Sequence, residues 1–422
     1  MDYTVKHGER YGEIKIPASK SYAHRILIAA ALGKTECTVI CDGISKDIEA
    51  TANCLSKLCA DVKTEEKDGA GVITVMPGKK TGEASDGYIM LPANESGSTL
   101  RFLTPVVGAL SKKAAFIMEG KLSERPMTEL TDELKRHGMS FRKEGNILYC
   151  DGTLSAGDYT IPGNISSQYV TGLLYALSIL PGKSTLTVTG KTESTDYIIM
   201  TERVISDFGV SFEKKDGVYT FFEGTTYKSP KSVSVESDWS NAAFFACMGA
   251  MSKKGIVLKG MNRDSCQGDK RILDILADFG AVIEDTPDGV RVKRGRLSGI
   301  VVDAKEIPDL VPTISAVAAV SEGVTTIVNA QRLKLKESDR LETTTNMLSS
   351  LGAFVTKTED GLIIKGKEKL SGNAVDAAND HRIAMAAAVA ACASESDVTV
   401  LGAECVAKSY PEFWKDFESL FR

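Results

Sequence analysis

Apolar residues along this chain follow one motif six times. KSYAHRILIAAALGKTECTVI from Lys20, SGSTLRFLTPVVGALSKKAAFIM from Ser96 and SSQYVTGLLYALSILPGKSTLTV from Ser166 each open on polar residues. Each then runs through an apolar stretch at helical spacing and ends in an alternating strand. DWSNAAFFACMGAMSKKGIVL from Asp238, DLVPTISAVAAVSEGVTTIV from Asp309 and DHRIAMAAAVAACASESDVTVL from Asp380 repeat the pattern. Their Ala-rich bodies carry apolar residues on every side, which predicts helices buried all round.

A second motif interleaves with the first. GKLSERPMTELTDELKRHGMSF, GKTESTDYIIMTERVISDFGVSF, GMNRDSCQGDKRILDILADFGAVI and AQRLKLKESDRLETTTNMLSSLGAFV begin at Gly120, Gly190, Gly260 and Ala330, a spacing of 70 residues. Looser copies begin at Gly43 and Gly402. A polar lead-in, an amphipathic helix and a strand hairpin are predicted in each, so the period fixes six α/β units before any single residue is interpreted.

The sixth unit ends after its second helix, without the hairpin the others carry. TVKHGERYGEIKIPASK at the amino terminus matches GVRVKRGRLSGIVVDAKEIPD and GLIIKGKEKLSGNAVDAAND, so residues 1–18 are expected to supply the missing hairpin. The predicted domains are 19–236, and 1–18 with 237–422. A chain that crosses twice, near Ser19 and Ser237, has a two-strand hinge suited to closing over a ligand. The other reading is a repeat scaffold that binds proteins; such solenoids have open ends, whereas this repeat closes on itself.

Composition narrows the function. At 422 residues with 43% hydrophobic content the chain can bury two cores, and its formal charge of −5 disfavours general nucleic-acid binding. No apolar run reaches the ~20 residues a bilayer requires, and the first residues lack a signal-peptide pattern, so no membrane association and a cytoplasmic location are expected. Nine cysteines lack paired spacing and four histidines lack metal-ligand spacing. Buried thiols and no metal site are expected.

Against that acidic background, cations and hydroxyls cluster at helix starts. The first helices open on Lys20, Ser21 and Arg25, on Ser96, Gly97, Ser98 and Arg101, on Ser166, Ser167 and Gln168, on Asp309, and on Asp380 and Arg382. The second helices open on Arg125, on Ser194, on Lys336, Glu337, Asp339 and Arg340, and on Lys408. Helix N-termini attract anions through free N–H groups, and Lys or Arg adds charge-assisted hydrogen bonds. Singly, each serine reads equally well as a cap and each charge as a surface ion pair; equivalent positions in a repeat gather them. Compact, multiply anionic ligands are predicted. His24 and His381 are read as structural.

PASKSYAHR at 17–25, ESGSTLR at 95–101, ERP at 124–126, SSQYVTGLL at 166–174, KESDRL at 336–341, NDHR at 379–382 and AKSYP at 407–411 resemble the 5-enolpyruvylshikimate-3-phosphate synthase family over the whole chain. The resemblance implies an α/β fold of two similar domains, each of three βαβαββ units, six repeats in all, forming inside-out α/β barrels. It implies enolpyruvyl transfer from phosphoenolpyruvate to the 5-hydroxyl of shikimate 3-phosphate, by addition and elimination, without metal or organic cofactor.

By the same resemblance Lys20, Gly97, Arg125, Gln168, Arg340, Arg382 and Lys408 would hold phosphoenolpyruvate. Lys20, Ser21, Arg25, Ser166, Ser167, Gln168, Ser194, Asp309 and Lys336 would hold shikimate 3-phosphate. Asp309 is expected as base at the hydroxyl and Glu337 in proton traffic at the methylene carbon, with Lys20 a third proton carrier. A monomer with these two small-molecule partners, no nucleic acid and no membrane is expected. The chain departs from the family pattern at Glu95, Ser98, Phe102 and Arg332, where Asn, Thr, Pro and Asn are usual. Gly97 is the small residue that leaves room for glyphosate in the family. A related transferase acting on UDP-N-acetylglucosamine is the nearest rival; it carries a loop cysteine that GKLSERP lacks before Arg125.

Overall fold

The computed structural model describes residues 1–67, 70–78 and 87–421. The expected domain limit at Arg422 lies outside the described residues. The chain forms two compact units, 20–235 and 1–19 with 236–422.

Residues 20–235 contain α1 (Lys20–Ala31), α2 (Lys46–Leu58), α3 (Gly97–Ala109), α4 (Thr128–Arg136), α5 (Ser167–Leu177) and α6 (Thr195–Asp207). The other unit contains α7 (Trp239–Ala250), α8 (Ile272–Phe279), α9 (Val311–Ala318), α10 (Arg340–Ser350), α11 (His381–Ala391) and α12 (Phe413–Ser419). The Ala-rich odd-numbered helices are buried almost throughout, from Tyr22 to Ala31 in α1 and along all of α11. The even-numbered helices bury one face, as in α8, where Ile272, Leu273, Leu276 and Phe279 turn inward.

Sheets cover these helices. Each four-stranded sheet joins one parallel pair to an antiparallel hairpin: Ile89–Asn94 lies beside Ala114–Met118, which pairs with Ile147–Gly152 and then Met139–Glu144. The parallel pair is bridged by a buried helix, the crossover that parallel pairing demands. Alternating burial along Ile89–Asn94 shows one face on the helices and one turned outward.

Both rings close by borrowing a strand. In residues 20–235, Ser232–Ser234 pairs in parallel with Cys37–Cys41 and so begins the first sheet from the end of the unit. In the other unit, residues 1–18 contain no hairpin of their own, contrary to the expectation above. Gly12–Lys15 pairs in parallel with Ile256–Lys259, while Tyr3–Val5 pairs antiparallel with Val398–Leu401. The reason lies in the aligned pattern itself, which matched the last strand of one unit followed by the first strand of the next. The sixth sheet therefore has three strands.

Close helix approach is set by Gly172. A Cβ there would lie 2.4 Å from the backbone oxygen of Arg101, so α5 rests directly on α3. All nine cysteines are free and seven are buried; burial pushes the Cys247 thiol up to about 12, leaving it protonated and unreactive at neutral pH. No helix among the described residues is long and apolar enough to cross a membrane.

Candidate active site

In residues 20–235, three helix starts meet around Gly97. Ser96 caps α3 and Ser166 caps α5, accepting from the backbone N–H groups of Thr99 and Gln168. Gly97 opens α3 so close to two guanidinium groups that an added Cβ would lie 2.7 Å from Arg101 Nη1 and 2.9 Å from Arg125 Nη1. Arg101 donates to Gln168 Oε1 at 2.9 Å and to the Pro126 carbonyl at 3.2 Å. Gln168 in turn donates to Ser98 Oγ at 3.1 Å. Gly97, Arg125 and Gln168 thus form one cluster, with Arg101 at its centre.

Arg25 is 2% exposed and, among the described residues, is held without a carboxylate. Its guanidinium donates to the Ser21 carbonyl at 2.7 Å, the Tyr197 carbonyl at 2.9 Å, Thr201 Oγ1 at 2.9 Å and Thr171 Oγ1 at 3.5 Å. Its carbon lies 5.1 Å from the ring centre of Phe102, so that departure from the family pattern provides an aromatic face beneath a buried cation. Burial lowers the Arg25 pKa, the signature of a cation surrounded by neutral groups. Lys20, at the first position of α1, is paired with Asp47 at 3.0 Å. Ser167 and Ser194 are buried at the starts of α5 and α6, with Ser194 in the left-handed region at φ 54°.

Residues 1–19 with 236–422 build a different kind of cluster. Arg340, the first residue of α10 and 1% exposed, is gripped by three carboxylates: Asp309 at 2.7 Å, Glu337 at 2.6 Å and Asp380 at 2.8 Å. Asp309 also meets Lys336 at 3.2 Å and Arg382 at 3.5 Å. Arg382 donates to the Asp309 carbonyl at 3.1 Å as well. Asp380 caps α11 through the Arg382 backbone N–H. Burial pushes the Asp309 carboxyl up, but Arg382, Lys336 and Arg340 together outweigh it and hold it well below the usual carboxylate range. Burial lowers the Lys336 pKa despite its Asp309 partner, with Arg340 and Arg332 adding repulsion. Lys408 is buried at the end of a short 3-10 turn, Ala403–Lys408, packed against α11.

The two alternative readings of these residues separate here. Asp309 lies within the turn Pro308–Leu310, and its side chain pairs with Arg340, Lys336 and Arg382. Arg340 is buried, not part of a surface network, while Asp339 caps α10 by accepting from Leu341 and Glu342. His24 is structural: it bonds Thr51 Oγ1 at 2.7 Å, and burial drives its pKa well down, keeping the ring neutral.

Residues 6–417 match the model of the EPSP synthase (3-phosphoshikimate 1-carboxyvinyltransferase) family. The chain belongs to that family. Among similar proteins is the 3-phosphoshikimate 1-carboxyvinyltransferase of Clostridium acetobutylicum, 42% identical over 97% of this chain and 95% of the relative. The protein of that name from Brachyspira hyodysenteriae is 37% identical over 100% and 99%. Of solved structures, an EPSP synthase from Acinetobacter baumannii is similar with a TM-score of 0.80, 24% identity, and coverage of 99% of this chain and 98% of that one. The enolpyruvyl transferase NikO from Streptomyces tendae gives 0.78 at 18% identity, covering 99% and 97%. Both likenesses, below 25% identity, bear on the fold of this chain.

Several residues of the clusters carry no role in the sequence reading. Thr171, Tyr197 and Thr201 come from a different repeat from the Arg25 they hold, and Asp47 from the second helix of the repeat that Lys20 opens, so local spacing gives no sign of them. Asp380 and Arg101 stand out only as polar helix starts. Their functions as counter-ion and as bridge emerge from the assembled helices.

Proposed function

We propose that this chain transfers the carboxyvinyl group of phosphoenolpyruvate to the 5-hydroxyl of shikimate 3-phosphate, releasing inorganic phosphate, on the route to chorismate and the aromatic amino acids. What carries the reading is the buried network joining Asp309, Glu337, Lys336 and Arg340 in a chain that matches the family over residues 6–417.

In the addition step, the 5-hydroxyl oxygen bonds to C2 of phosphoenolpyruvate while its proton leaves and C3 gains a proton. In the elimination step, the C2–O bond to phosphate breaks and C3 gives a proton back. Asp309 is the base at the hydroxyl, with Glu337 moving the proton at C3 and Lys20 as a further carrier. A carboxylate locked to three cations is a poor base. Substrate phosphates and carboxylates competing for Arg340, Arg382 and Lys336 weaken that hold and raise its basicity at the moment the hydroxyl is bound.

Lys20, Gly97, Arg125, Gln168, Arg340, Arg382 and Lys408 are assigned to phosphoenolpyruvate. Lys20, Ser21, Arg25, Ser166, Ser167, Gln168, Ser194, Asp309 and Lys336 are assigned to shikimate 3-phosphate. Arg25 supports this, because a buried guanidinium among neutral oxygens favours an incoming anion. The reading includes a cytoplasmic monomer with no nucleic-acid or membrane partner and no cofactor, in keeping with the net acidic chain.

Phosphate release from phosphoenolpyruvate with shikimate 3-phosphate as acceptor is the test. Turnover only with UDP-N-acetylglucosamine would overturn it. Gly97→Ala places a methyl group against Arg101 and Arg125. The KM for phosphoenolpyruvate should rise about tenfold, equivalent to ~1.4 kcal/mol, with kcat much less affected. Steady-state kinetics showing an unchanged KM would remove Gly97 from that subsite.

A further inference from the structure

Asp269 lies in the 3-10 turn Gly268–Arg271, which leads into α8 much as Gln331–Leu335 leads to Lys336 before α10. It is 3% exposed. Its Oδ2 accepts a hydrogen bond from the hydroxyl of Ser240 in α7. Its Oδ1 is buried with no hydrogen-bond partner among the described residues.

The charged groups facing it are Asp309 from the turn before α9, Arg382 from α11 and Asp238 from the cap of α7. On its own turn, Lys270 is directed to the Ser265 carbonyl at 2.9 Å. Asp238 is occupied as a cap, accepting from the Asn241 N–H at 2.9 Å.

A buried carboxylate with one oxygen unsatisfied is costly, and neutralising it by a proton is the cheaper state. Charge balance points the same way. Arg340, Arg382 and Lys336 already face Asp309, Glu337 and Asp380, three cations against three carboxylates. An ionised Asp269 would add a further anion beside Asp309 and Asp238, where two anionic substrates must also bind. Burial, reinforced by Asp309 and only partly offset by Arg382, pushes the Asp269 carboxyl up to about 7.

We propose that Asp269 is a positioning residue that works as a neutral acid, leaving the Arg382 guanidinium available to the anionic substrate instead of holding it as a counter-ion. The inference rests on the assignment of Arg382 to phosphoenolpyruvate. Protonated, Asp269 takes a hydrogen bond from Ser240 and exerts little pull on Arg382. Ionised, it competes with the substrate for that cation.

The experiment compares the KM for phosphoenolpyruvate in wild type and Asp269→Asn at about pH 6.5 and about pH 8.5, either side of the midpoint near 7. Wild-type KM should rise about tenfold more than that of the variant across this interval. Taking the ratio of the two proteins cancels titration of the substrate's own phosphate. Identical pH dependence in both overturns the proposal. So does a variant KM already about tenfold above wild type at the lower pH, since that would mean the anion is required.

Carbon-13 NMR of wild type labelled at the aspartate carboxyls keeps the question open to test if the variant does not fold. A carboxyl titrating near 7 supports the proposal; every aspartate titrating below about pH 5, closer to the usual ~3.9, overturns it. An unchanged KM in Arg382→Gln would instead remove the assignment of Arg382, leaving the protonation of Asp269 standing in the NMR titration.

Discussion

Asp309→Asn should lower kcat by about 10²–10⁴-fold while changing either KM by less than about threefold, the range expected when a general base is removed but its shape is kept. The amide oxygen still accepts from Arg340 and Lys336, which lie 2.7 and 3.2 Å from Oδ1 in the native protein, while the amide nitrogen replaces the oxygen 3.5 Å from Arg382, so two of these three contacts persist and the base is lost. Single-turnover kinetics and substrate titrations separate the two effects. An unchanged kcat would take Asp309 out of the mechanism. The pH profiles carry a further mark. With its carboxyl held well below the usual range in the free protein, Asp309 should contribute no acid limb to kcat/KM in the neutral region. The limb should enter kcat, once substrate anions have drawn the cations away.

Arg340→Met should cost about 3–5 kcal/mol of stability at neutral pH, because it removes a buried cation shared by Asp309, Glu337 and Asp380. The sign follows from Asp309. Its folded-state carboxyl is held low, so its ion pairs stabilise the fold above the unfolded value of ~3.9 and that contribution fades as pH falls through the folded value. The deficit of the variant should therefore be largest at pH ~7 and shrink as acid protonates these carboxylates. Denaturant unfolding of both proteins at two pH values measures it. A pH-independent deficit would mean that lost packing, not charge, dominates.

The periodic features of the fold were legible because each repeat announces itself twice, by an Ala-rich helix and by a polar lead-in. Gly172 illustrates what is not legible. It is an ordinary helical glycine in sequence, and only the approach of the Arg101 backbone reveals why no side chain fits. The helix-start cations were visible as a group, but not their difference in pairing. Arg25 meets carbonyls, hydroxyls and an aromatic ring contributed from up to 176 residues away, whereas Arg340 meets carboxylates 3, 31 and 40 residues away. Sequence spacing records which residues share a helix face; it does not record which faces of separate repeats meet. The same limit explains residues 1–18, where the pattern showed two strands but not that each belongs to a different sheet.

That division of the amino terminus orders events during synthesis. Residues 20–235 hold every strand of their own three sheets and can fold as soon as Ser232–Ser234 leaves the ribosome. Gly12–Lys15, although made earlier, has no parallel partner until Ile256–Lys259 follows. Tyr3–Val5 waits longest, for Val398–Leu401. With about 390 residues in between, at roughly 5–20 residues per second, that strand spends some 20–80 s as an unpaired tail. Made long before its partner, it is among the last of these strands to pair.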